Sequence, residues 1–205
     1  MERGQEIKAV GCGLLETIIK ERLEELQDYF FTKRDFILDD LQKKITLLCK
    51  EAYDLQMQEQ KEPIRCLSIS HMQHCVYTKQ YEMRLDLYNK DFYLDPQKVY
   101  QYCDMSFLFQ FFEKDMEYFC EHIRFHIQSI LYPLREYEEK KFALWYIKHY
   151  YRIAESFFQD QMLAIFENTD FELLKKEEDF MILYGGYMEE QKILFQSEVG
   201  RSERG

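Results

Sequence analysis

The sequence predicts an α+β fold, predominantly α, on three observations. Only seven Gly and three Pro punctuate 205 residues, too few turns for a many-stranded sandwich or barrel. Apolar residues recur three or four apart over most of the chain, which is the helical period. From Tyr81 to Leu87 that period gives way to alternation, with Tyr81, Met83, Leu85 and Leu87 separated by Glu82, Arg84 and Asp86, the pattern of a strand buried on one face. Hydrophobic residues make up 46% and aromatics 17%, enough apolar surface to offset the chain entropy lost on folding over most of the length. The length fits a single domain over residues 1–205.

Residues 6–60 predict an N-terminal helical pair. The first stripe runs through Ile7, Val10, Leu14, Leu15, Ile18 and Ile19 to Phe30, with Gly11 and Gly13 weakening its opening turns so that order begins near Leu14. Thr32 stands three residues before Asp35, like a capping box with Asp in place of Glu, and a second stripe follows from Phe36 to Leu55. The join at residues 30–33 is either a tight helical hairpin or a kink in one long helix. After Pro63, residues 64–94 predict a small antiparallel sheet, with Arg65 to His71 as a weaker strand beside the one at Tyr81. Asp95-Pro96 reads as N-cap and first helical residue. The chain from there to Phe166 is then helical, as two long aromatic-rich helices from about Met105 to Leu131 and from Pro133 onward. Thr169 and Glu172 open a short helix, Phe180 to Tyr184 and Ile193 to Phe195 form a terminal hairpin on the same sheet, and 197–205 is a frayed polar tail.

The formal charge of -11, from 38 acidic and 27 basic residues, repels phosphate backbones and anionic lipid headgroups, so direct nucleic-acid and membrane binding are disfavoured. No apolar run approaches the roughly 18 residues of a membrane span, and the N-terminus has no secretion signal. The six cysteines never form C-x-x-C and sit mostly in apolar patterns, as expected of buried thiols in the cytoplasm.

His122 and His126 are four apart on a helix and so present two imidazoles to one side, a spacing suited to a divalent metal. A third ligand would have to come from another helix, near His149, Glu155 or Asp115. His71, His74 and Cys75, close to Cys66, could serve a zinc knuckle or a thiol–imidazole pair, although neighbours on an extended chain diverge. Gly11-Cys12-Gly13 fails as a dinucleotide fingerprint because Glu16 occupies the sixth position and no strand precedes it. Glu82, Arg84 and Asp86 read as the wet face of a half-buried sheet. Rings crowd residues 107–151, and helical spacing cannot put them all on one stripe. They belong either to a central helix covered by its own chain or, for Trp145, Tyr146, Tyr150 and Tyr151, to an interaction patch.

No catalytic motif is complete and no organic cofactor has support. The leading expectation is therefore a non-catalytic protein-interaction or regulatory module whose partner is another protein or a second copy. A metal-binding helical protein or metalloenzyme built on His122 and His126 is the alternative, and an acidic mimic of nucleic acid the third.

Overall fold

No proline lies between Arg3 and Met57, and leucine, glutamate and lysine are the commonest residues of the segment. In the computed structural model, which describes residues 3–126, 133–167 and 169–197, it forms one uninterrupted helix of 55 residues, α1 (Arg3–Met57). The expected helical pair is thus a single helix. Thr32 does not cap a second one: its Oγ1 donates to the carbonyl of Asp28 at 2.9 Å, the back-bond a threonine makes inside a helix. The remaining elements are β1 (Ile64–His71), α2 (Cys75–Thr78), β2 (Glu82–Tyr88), β3 (Val99–Asp104), α3 (Ser106–Phe109), α4 (Phe112–His126), α5 (Glu136–Phe166), β4 (Lys176–Gly186) and β5 (Gln191–Gln196). Two 3₁₀ turns lie at Phe92–Leu94 and Asp170–Leu173. Residues 127–132 and 198–205, where a helix end and a frayed tail are expected, lie outside the described residues.

The chain folds into two compact units. The first takes residues up to 34, 73–81 and 105–156, and the second takes 35–72, 82–104 and 157 onward.

In the first unit, the early part of α1 packs with α4 and α5 around rings. Phe119 and Phe142 stack at 3.7 Å between centroids. Gly11 is buried against both, and any Cβ there would collide with Phe142, so this glycine permits close approach and does not break the helix. Asp115, fully buried, accepts from the Tyr146 hydroxyl at 2.9 Å, the Tyr150 hydroxyl at 2.5 Å and Arg22 Nε at 3.1 Å. One carboxylate thereby ties three helices together, and its charge is compensated. At the head of α5, Glu138 accepts from the Arg135 backbone N–H at 2.9 Å and from Arg3 Nε at 2.6 Å, which completes half of a capping box and anchors the start of α1.

The second unit is built on a five-stranded sheet of order β3-β2-β1-β4-β5. β1 pairs antiparallel with β2 and parallel with β4, while β2–β3 and β4–β5 are antiparallel. The terminal hairpin joins the sheet as expected, but the sheet is larger than the sequence suggested and mixed in direction. Leu67, Ile69, Met83, Leu85, Leu87, Val99, Ile182 and Tyr184 alternate onto one buried face. Leu41 and Ile45 of α1 and Phe158 and Ile165 of α5 meet Ile69 and Leu85 there.

Asp95-Pro96 starts no helix. Asp95 is buried: it holds Lys61 Nζ at 2.7 Å and accepts the backbone N–H groups of Asn89 and Gln97, each at 2.9 Å. Its capping chemistry is spent on a turn, and the next residues become β3. An aspartate followed by proline suits either outcome, and only the alternation Val99-Tyr-Gln-Tyr-Cys103 signals the strand.

Candidate functional site

The second face of the sheet is the most chemically specialised surface of the second unit. Cross-strand register places Ser70 opposite Arg84 and Arg84 opposite Tyr102, with Ser68, Asp86 and Tyr100 aligned in the row beside them. On the other flank, Ser70 pairs with Gly185 and Gly185 with Gln191. This is the face read as wet, and the structure corrects that reading: Arg84 is 9% exposed and Asp86 1%, and only Glu82 at the strand's start is open to solvent. A lid of rings replaces water. The Arg84 guanidinium lies 3.9 Å from the Tyr100 centroid and 4.7 Å from that of Tyr187. Tyr88, Phe92, Tyr93 and Tyr187 continue the cover, with successive centroids 4.2 to 6.1 Å apart.

Charge within this seam is paired. Arg84 donates Nε and Nη2 to Asp86 at 2.7 to 2.9 Å, the planar two-point geometry that favours arginine over lysine. Burial pushes the Asp86 carboxyl above the usual range, with the bonds from Arg84 opposing it. Burial works against the Arg84 charge too, yet the bonds it donates to Asp86 hold its pKa above the ordinary value. Next to the pair, the Ser68 and Ser70 hydroxyls lie 3.0 Å apart, and the Gln191 amide donates to them at 2.8 and 2.9 Å. Gly185 makes this possible, since a Cβ there would press within 2.7 Å of the Glu190 carbonyl and 2.9 Å of Gln191 Cα.

Among the described residues, the bonds of the two serines run to each other and to the Gln191 amide. The seam instead fixes five side chains in place and leaves Tyr100, 42% exposed, and Tyr102, 37% exposed, at its open margin. Both lie on β3, an edge strand.

The residues singled out from sequence fall elsewhere. His122 and His126 do share a face of α4, but each Nδ1 lies against a backbone carbonyl, of Tyr118 at 2.8 Å and of His122 at 3.0 Å. His122 also stacks on Tyr118 at 4.0 Å. Among the described residues no three His, Cys, Asp or Glu side chains gather as a metal would require, and Asp115, one suggested third ligand, is committed to Arg22, Tyr146 and Tyr150. The other cluster is divided: His71 ends β1 in the second unit with its ring 5.9 Å from Tyr184, while Cys75 lies in the first, 3.0 Å from the Tyr151 hydroxyl. His74 is exposed at the head of α2.

Tyr146, Tyr150 and Tyr151 are buried. They form stacked and edge-on pairs with Phe109 and Phe112, so their own chain covers them and they present no patch. Trp145 alone of that set is half-exposed, at a cleft with Cys12 and His149. All six cysteines are free: Cys49, Cys66, Cys75 and Cys103 are buried, whereas Cys12 and Cys120 are only half-buried. No described helix is long and apolar enough to cross a membrane.

Sequence reasoning missed Ser68, Ser70, Tyr100, Tyr102, Tyr187 and Gln191. The alternation of Ser68-Ile69-Ser70 was a usable signal, while the approach of Gln191 depends on β1 pairing with a strand more than a hundred residues later. Comparison of the chain with protein-family models, curated proteins and solved structures yields no match.

Proposed function

We propose that this protein is a non-catalytic recognition module that binds another protein through the tyrosine-lined margin of its sheet. The observation that carries the reading is that Tyr100 and Tyr102, both partly exposed on an edge strand, flank a buried Arg84–Asp86 pair. Rings held by packing lose little freedom on binding, which is why tyrosine recurs among interface residues that dominate affinity. An edge strand also offers backbone groups to which an extended partner segment can add, while alternate side chains meet the rings. The six free thiols support a reducing, cytoplasmic setting for this activity.

The test is a double variant, Tyr100→Ser with Tyr102→Ser, compared with the wild-type chain for recovery of cellular partners by cross-linking and for affinity toward the partner recovered. Both rings lie over Arg84, so melting falls, while circular dichroism checks that the double variant remains folded. Affinity falls at least tenfold, as for the loss of interface rings worth about 2 kcal/mol. Undiminished binding by a folded double variant contradicts the reading.

A further inference from the structure

The first unit holds a cleft of about 260 Å³ between the early turns of α1 and the middle of α5. A single water needs about 10–15 Å³ and small-molecule sites begin near ~300 Å³, so the space suits a compact organic molecule. Leu15 and Ile19 from α1 face Trp145 and Tyr146 from α5. The Tyr146 hydroxyl is held by Asp115 and its ring is buried, so Tyr146 closes the floor of the cleft.

The polar groups of the lining are unequal. Glu16 is its one carboxylate, and neither lysine nor arginine lines the space. His149 stands edge-on to Trp145, with ring centroids 5.1 Å apart. Burial, with the nearby Arg152 charge, lowers its pKa, so at neutral pH it does not cancel Glu16. The lining is therefore an aromatic and aliphatic box carrying one negative charge. Such a box recognises an ammonium through the carboxylate and the negative faces of the rings. Lys8, just outside, shows the preference: its Nζ rests 5.1 Å from the Trp145 centroid.

From this charge complementarity we infer that the cleft binds a small primary amine with an aryl body, its ring against Trp145 and its ammonium on Glu16. The site lies in the first unit and is independent of the tyrosine margin proposed for protein binding.

Trp145 is the chain's one tryptophan, so its fluorescence reports occupancy directly. Three probes with the same phenylethyl body separate charge from shape: 2-phenylethylamine, neutral 2-phenylethanol and anionic 3-phenylpropionate, each titrated against the full chain. The amine gives a saturable change and binds at least tenfold more tightly than the alcohol, and the acid binds most weakly. Glu16→Gln, a change on an exposed side chain, erases the gap between amine and alcohol. Lys8→Met, which removes a competing ammonium, raises the affinity for the amine severalfold. The inference is overturned by equal affinities for the three probes, by absence of a saturable response, by a gap that survives Glu16→Gln, or by weaker amine binding in Lys8→Met.

Discussion

Two buried carboxylates are shifted in opposite directions. Arg3 holds the Glu138 carboxyl well below the ordinary value of 4.5, at about 2, against the opposing effect of burial. A depressed folded pKa means that the contribution is complete above the unfolded value and is lost as pH falls toward 2. Glu138→Gln should therefore melt below the wild type at neutral pH, and the two melting curves should converge between about pH 5 and 2. Asp86 is the reverse case: burial raises its pKa against the bonds that Arg84 donates to it. Its charge is tolerated because Arg84 is present. Arg84→Met should cost about 3–5 kcal/mol at pH 7, the usual penalty of a buried charge stripped of its partner. Adding Asp86→Leu should recover most of that loss in a chemical-denaturation series. A double variant no more stable than the single one would show that the pair does not act as a unit.

At the scale of elements, local sequence and tertiary packing each decide different boundaries. The two stripes of α1, the strands at Ile64 and Glu82 and the closing hairpin were all legible from periodicity, because their apolar faces follow the geometry of one element. Three punctuation marks were not. Thr32 with Asp35 resembles a cap, yet a Thr can bond backward to Asp28 just as well. Gly11 resembles a weak point until Phe119 and Phe142 fill the space beside it. Asp95-Pro96 resembles a helix start until Lys61, distant in sequence, claims the carboxylate. The first two have separate expectations in thermal melting. Thr32→Ala should leave stability within ~0.5 kcal/mol, as at an exposed helix interior, whereas loss of a true N-cap costs ~1 kcal/mol. Gly11→Leu should destabilise by about 1–3 kcal/mol through overpacking, although leucine is the better helix former.

For the whole molecule, the proposed function rests on the split between packed and displayed rings, which sequence alone left open. The sequence offered Tyr146, Tyr150 and Tyr151 as an interaction patch and passed over Tyr100 and Tyr102, but the first three are buried, two of them on Asp115, and the latter two border a seam at a sheet edge. The thiols divide in the same way. Burial pushes Cys49, Cys66 and Cys103 up to about 12, so thiolate is scarce and access poor. Mass spectrometry after brief alkylation of the native chain should find label first on half-buried Cys12 and Cys120. The central claim, that the margin of β3 meets a partner, is tested most directly by a photo-cross-linking residue placed at position 102 and, as a control, at exposed Tyr137 in the other unit. A discrete protein adduct at 102 that is absent at 137 is the expected result. No adduct at 102, or the same adducts at both positions, would contradict the account.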